Sequence, residues 1–270
     1  MKDTRVIVGD VGGTNCRLAS CDPLSGRIED FQIFAVRDFK SLGEVIQVFK
    51  ESHSSVTFNR ASIAIANPIV GDMIKMTNAH WAFSIEQTRK SCGLGELLML
   101  NDWQAVAMAL PHLTEAQLRK VNQILETPGG NKALLGVGTG LGAASLVRTQ
   151  DSSWVPVAGE GGHVSFCPAN KDEIEIFGIL RRHHEHVSFE KILSGPGLKA
   201  LYEATRELSG VISVEDLAPS EILAGAAKAS DPVCQRTLKI FCGVLGSFAG
   251  NLCLTVGAIG GVYVGGGVIE

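Results

Sequence analysis

The chain has 270 residues, 19% of them charged and 45% hydrophobic. That balance excludes a disordered polymer and supplies a sizeable core. The formal net charge is −4, with no basic stripe, which argues against a nucleic-acid partner. The opening residues MKDTRVIVGD enter a strand pattern with no apolar signal region before it, so a cytoplasmic protein is expected.

Taken in chain order, apolar runs at 5–9 and 16–20 flank Gly12-Gly13 and predict a strand–turn–strand hairpin. Leu42, Val45, Ile46 and Phe49 recur at helical spacing and predict an amphipathic helix. ASIAIANPI reads as a buried strand ended by Pro68. LLMLND reads as another, with Asp102 at its C-terminal end, and WQAVAMAL turns helical from Trp103. ALLGVGTGLGAASLV then repeats the first theme: apolar run, glycine turn, apolar run. DEIEIFGILRRHHEH and SFEKILS are expected to be helical, as is GPGLKALYEATREL after them. A final helix, DPVCQRTLKIFCGVLGSFAGNLCLTVG, precedes a strand in GVYVGGG. Strands alternating with helices give the class α/β. One glycine turn in each half suggests a duplicated lobe with a cleft between.

No charged residue occurs from Ile240 to Ile269, a length that would span a membrane. Gly257, Gly260, Gly261 and Gly265 to Gly267 interrupt the run, so a buried helix followed by a buried strand is expected, with no membrane partner. The 7 cysteines include no CxxC pair. Reduced, mostly buried thiols are expected, not a zinc site.

The glycine turns carry the chemistry. Without a Cβ, backbone N–H groups converge on an anion, and Thr14 and Thr139 add hydroxyl donors. A single such turn is an ordinary hairpin; two of matching form point to phosphate. Asp10 beside the first turn suits Mg²⁺ held through water. Gly138 to Ala143 also satisfies a loose dinucleotide pattern, but an apolar segment and no obvious helix follows it. Phosphoryl transfer to an alcohol needs a base near the hydroxyl. Asp102 suits that role, and equally suits a helix N-cap; Asn101 beside it makes a polar pair that capping alone does not require. Glu160 and His163 in GEGGHVSF, and Glu190 in HVSFEKILSGPGL, are groups that read sugar hydroxyls; the alternatives are a solvated loop and a helix-face charge. The run 181–186 (RRHHEH) reads as a solvated helix face. Trp81 fits a core or a pocket wall.

The set GDVGGTNCRL, MTNAHWAFSI, NDWQAVAMA, GVGTGLGAA, GEGGHVSF, HVSFEKILSGPGL and GGVYVGGGV resembles the bacterial glucokinases of the hexokinase-related, non-ROK group, within the sugar kinase–actin–chaperone superfamily. The resemblance implies a two-lobed ribonuclease-H-like, actin-like ATPase fold with an interlobe cleft. The small lobe would be 1–110 and the large lobe 111–270. It implies ATP-dependent phosphorylation of D-glucose at the 6-hydroxyl, with Mg²⁺, in a cytoplasmic homodimer. Carried over by motif, Asp102 is the base. Asn78, Asn101, Asp102, Glu160, His163 and Glu190 meet the sugar. Gly9, Asp10, Gly12, Gly13, Thr14 and Asn15 form the first phosphate turn, Gly138, Thr139 and Gly140 the second, and Gly265, Gly266 and Gly267 pack on adenosine. Two departures are visible. Asn67 stands in ANPIVG where a smaller residue or cysteine is more usual, with little consequence expected. The family also continues beyond VYVGGGVIE, so C-terminal elements are expected to be missing. That would leave the adenosine wall incomplete and allow, as alternatives, a glucose-binding fragment impaired in turnover or a kinase of a related hexose.

Overall fold

The computed structural model describes residues 4–122, 127–212, 216–228 and 231–269. By internal contact the chain divides into two units, Met1–Val106 and Ala107–Glu270. Unit 1 contains β1 (Thr4–Val11), β2 (Asn15–Cys21), β3 (Ile28–Ala35), α1 (Leu42–Ser52), β4 (Thr57–Ile65), β5 (Met73–Lys75), β6 (Ala82–Ser84), α2 (Ile85–Ser91) and β7 (Glu96–Asn101). The division falls within α3 (Asp102–Ala109). Unit 2 continues with β8 (Lys132–Val137), β9 (Leu141–Arg148), β10 (Trp154–Gly159), α4 (Lys171–Leu180), α5 (Gly195–Leu208), α6 (Pro219–Ala227), α7 (Pro232–Val256) and β11 (Val262–Gly265).

The unit 1 sheet runs β3-β2-β1-β4-β7. β1 pairs antiparallel with β2 and β2 with β3, while β4 lies parallel to both β1 and β7. Its register puts Val11 opposite Ile65 and Ile65 opposite Asn101. The first glycine turn and the end of β7 therefore lie at the same end of the sheet's strands, two strand spacings or about 10 Å apart. α1 covers the sheet because Leu42, Val45, Ile46 and Phe49 form one stripe, and all four are fully buried. Burying each contributes roughly 1.5–3 kcal/mol. Trp81 joins this core at 0% exposure, its Nε1–H donating to the Phe39 carbonyl at 2.8 Å, so it is a core residue and not a pocket wall.

The unit 2 sheet runs β10-β9-β8-β11, with β8–β9 and β9–β10 antiparallel and β11 parallel to β8. This repeats the pattern of β3-β2-β1-β4. The α4, α5, α6 and α7 helices bury Ile176, Leu201, Ile222, Phe241 and Phe248 in the unit 2 core.

Several local expectations are corrected. The α4 helix stops at Leu180, so 181–186 form turns beyond its end and not a helix face. SFEKILS is a single 3-10 turn at Phe189–Lys191. Ser194 there is extended and caps α5, accepting the Gly197 N–H, which prevents the two segments from merging. β11 pairs only with β8 among the described residues, so Val264 is 39% exposed and the strand is not buried. The α7 helix is long and apolar enough to cross a membrane by length and composition. It buries a single face, Val233 to Phe248, against the unit 2 core, while Leu254 is 85% exposed. Among the cysteines, all free, Cys16, Cys92 and Cys234 are buried but Cys167 and Cys242 are exposed. Burial, reinforced by the Asp10 charge, pushes the Cys16 thiol up to about 12.

Candidate active site

In unit 1 the site begins where β1 turns into β2. The Gly12 N–H donates to the Asn15 carbonyl at 2.9 Å and the Val36 N–H to the Thr14 carbonyl at 2.9 Å, fixing the turn from within. Thr14 is exposed. At Gly12 a Cβ would meet the Asn15 carbonyl only at ordinary van der Waals distance, 3.7 Å. At Gly13 a Cβ would lie 2.8 Å from the Asn78 carbonyl, so the turn admits Asn78 by close approach. Gly9 lies inside β1, where a Cβ would crowd the Leu18 and Ile63 side chains; its small size serves packing. Asp10 is half-exposed and accepts from Arg17 at 2.7 Å through Oδ2.

At the end of β7 the helix cap falls mainly to Asn101. Asn101 Oδ1 accepts the N–H groups of Trp103 at 3.0 Å and Gln104 at 3.4 Å, and Gln104 Oε1 accepts the Asn101 N–H at 3.2 Å. That reciprocal pair caps α3. Asp102 adds one bond, from the Trp103 N–H at 2.9 Å to Oδ1. Burial of this half-buried carboxyl raises its pKa above the ordinary carboxylate range, against the Trp103 N–H and with help from the Asp10 charge. Asn101 Nδ2 faces the Asn67 carbonyl at 3.5 Å. Asn67 is itself buried, and its Oδ1 has no partner among the described residues.

In unit 2 the second glycine turn joins β8 to β9. The Gly138 N–H donates to the Gly140 carbonyl at 2.9 Å, and Thr139 at its tip is exposed. Glu160, His163 and Glu190 gather beside it. His163 Nε2 is 3.8 Å from Glu160 Oε2, and His163 Nδ1 is 3.8 Å from Glu190 Oε1. Glu190 Oε2 accepts the Leu141 N–H at 2.9 Å. A Cβ on Gly162 would collide with the Leu141 carbonyl, so the GEGGH turn seats against the start of β9 only because that residue is glycine. Gly266, at φ +103°, carries the same constraint against Val137, and the Val268 N–H donates to the Val137 carbonyl at 3.1 Å.

These contacts put Gly266 beside the β8 end of the second turn. An open groove of about 720 Å³ is lined there by Gly138, Thr139, Gly195, Pro196, Lys199 and Gly267, with Pro219 and Val268. The α5 N-terminus enters it, held by the Gly195 N–H donating to the Gly138 carbonyl at 2.8 Å. Lys199 is ion-paired with Asp216. Gly138, Thr139 and Gly267 are among the residues expected from sequence; Gly195, Pro196 and Lys199 are additions from the structure. The signal was present: Pro at the first turn and Ser194 before it mark a helix start, and a helix N-terminus favours anions.

The Glucokinase family model matches residues 7–270. The Glucokinase of Klebsiella pneumoniae subsp. pneumoniae is 45% identical over 263 residues, covering 97% of this chain and 81% of that protein. Among solved structures, glucokinase from an Antarctic psychrotroph superposes with a TM-score of 0.88 at 34% identity, covering 98% of this chain and 83% of that one. A ROK family glucokinase from Streptomyces griseus, in complex with glucose and AMPPNP, shares the fold at a TM-score of 0.60 and 17% identity, over 98% and 83% of the two chains. Family model, sequence relatives and fold agree: the chain belongs to the glucokinase family.

Proposed function

We propose that the residues above divide the labour of transferring the γ-phosphoryl of ATP to the 6-hydroxyl of D-glucose. Asp102 is the general base. The observation that carries this is the capping of α3 by Asn101, which relieves Asp102 of that duty. A carboxyl with a raised pKa holds a hydroxyl proton better than an ordinary one. Asn78, Asn101, Glu160, His163 and Glu190 are assigned to the other sugar hydroxyls. Asn101 acts through Nδ2, because its Oδ1 is committed to the cap. The phosphates fall to the backbone N–H groups and hydroxyls around Gly12, Gly13, Thr14, Gly138, Thr139 and Gly140, with Asp10 and Asn15 at the first turn and Gly9 supporting β1. Gly265, Gly266 and Gly267 pack on adenosine, a reading supported by the groove they share with Gly138 and Gly195.

Mg²⁺ fits Asp10: half-exposed, with Oδ2 on Arg17, it leaves a carboxylate edge for a hydrated ion. The ion would neutralise charge building on the transferring phosphoryl. The strand order β3-β2-β1-β4-β7 supports the ribonuclease-H-like reading of unit 1. We take 1–110 and 111–270 as the functional lobes. The higher identity and TM-score to the psychrotroph enzyme than to the ROK enzyme support the non-ROK group. A homodimer in the cytoplasm follows from the resemblance, and light scattering tests the dimer. The first experiment is ADP release by this chain with Mg·ATP, with and without glucose. Glucose-dependent release is expected; release indifferent to glucose would defeat the reading.

A further inference from the structure

We propose that Glu190 is a positioning residue for the second glycine turn as well as a sugar ligand, so that nucleotide and sugar binding share one carboxylate. The sugar half rests on the function proposed above; the positioning half rests on geometry alone. Glu190 Oε2 accepts the N–H of Leu141, the residue that follows Gly138-Thr139-Gly140. A carboxylate accepting a backbone N–H makes a charge-assisted bond, stronger than a neutral one. Its approach depends on the turn's own sequence, since a Cβ on Gly140 would stand 2.7 Å from Oε2. Gly140 thus admits Glu190.

The other oxygen, Oε1, faces His163 Nδ1 across 3.8 Å. One carboxylate therefore has one oxygen on the phosphate turn and the other among the sugar groups. Its backbone is held too. The Ser194 Oγ–H donates to the Glu190 carbonyl at 2.8 Å, and Ser194 is buried and caps α5. The α5 N-terminus in turn ties back to Gly138 through the Gly195 N–H. The result is a closed ring of contacts: turn to Glu190, Glu190 to Ser194, Ser194 to α5, α5 to turn. A change in the Glu190 side chain is transmitted to the groove, and a change in the turn is transmitted to the sugar groups. Such coupling is reciprocal by thermodynamic necessity.

The test measures each ligand without the other, by titration calorimetry on the full chain. Mg·AMPPNP is titrated in the absence of sugar into the parent, Glu190→Ala and Glu190→Gln. Glucose is titrated in the absence of nucleotide into the parent and Gly140→Ala. Glu190→Ala is expected to weaken AMPPNP about tenfold, the scale of one charge-assisted hydrogen bond. Glu190→Gln, which keeps an acceptor oxygen, should recover most of the loss. Gly140→Ala should weaken glucose by a similar factor. Parent-like AMPPNP affinity in Glu190→Ala, or parent-like glucose affinity in Gly140→Ala, overturns the proposal. Rescue by Gln separates lost positioning from failed folding. If Glu190→Ala kept full glucose affinity, the sugar role would fail on its own, and the AMPPNP arm would still decide the positioning role.

Discussion

Units 1 and 2 contain the same hairpin, β1–β2 and β8–β9, each closed by a glycine turn, flanked by an antiparallel strand on one side and a parallel strand on the other. In each turn one glycine is uncrowded, Gly12 and Gly138, and a later one is pressed by a residue from elsewhere in its unit, Asn78 on Gly13 and Glu190 on Gly140. The pressing group differs. Asn78 presents a backbone carbonyl, whereas Glu190 presents a carboxylate that hydrogen-bonds the turn. A duplicated backbone thus supplies two equivalent openings, and what enters each opening sets its chemistry. Unit 1 ends its sheet on the acid–amide pair Asn101-Asp102; unit 2 brings its acids in from the 3-10 turns that carry Glu190 and His163.

The sharpest way to break this contrast is to remove the unit 1 carboxylate. Asp102→Asn should lower kcat by about 10²–10⁴, the scale of a lost general base, with glucose affinity by calorimetry largely kept. A near-normal rate would move the base elsewhere. Next come the two cores. Phe49→Ala in unit 1 and Phe248→Ala in unit 2 remove fully buried rings, and each should cost about 3–5 kcal/mol in denaturant unfolding. A markedly smaller loss in either would show that its unit relaxes to fill the gap.

The turns sharpen the comparison at smaller scale. Gly13→Ala places a Cβ against a backbone carbonyl and should cost on the order of 1–3 kcal/mol, as overpacking does. Gly138→Ala meets nothing within 4 Å and should leave the melting temperature nearly unchanged. Equal costs would contradict the assignment of open and pressed positions.

The smallest effect is a pH dependence. The folded pKa of Asp102 is raised, so its contribution to stability is fully present below the unfolded value near 3.8 and is lost as pH rises through the folded pKa. Asp102→Asn should therefore melt slightly above the parent at pH 7, with the gain shrinking toward pH 4. The acid limb of parent turnover should lie above the ordinary carboxylate range, because protonation silences the base. A variant that melts below the parent at neutral pH would instead give Asp102 a stabilising role.

Much of this was legible in the chain. The stripe Leu42, Val45, Ile46 and Phe49 gave α1, and the paired glycine turns gave both hairpins, because period and turn chemistry are local signals. β5 and β6 escaped at three residues each, and β10 escaped because Pro156 interrupts its pattern. The extension of a helix through 181–186 failed because charge-rich sequence does not mark where a helix stops. The motif set named Glu160, His163 and Glu190. No spacing rule could show that Glu190 bonds Leu141, a contact 49 positions apart. Nor could sequence decide between Asp102 and Asn101 as the cap, since both residue types favour that position.

The register Val11–Ile65–Asn101 also bears on how the molecule is made. Asp10 and Asp102 lie 92 positions apart in sequence and reach the same end of the sheet's strands only through two parallel ladders, β1–β4 and β4–β7. Parallel pairings close long loops before they gain any contact, so they form slowly. Catalytic competence should then be among the last properties recovered on dilution from denaturant, appearing after the local β1–β2 hairpin and the α1 helix are already in place.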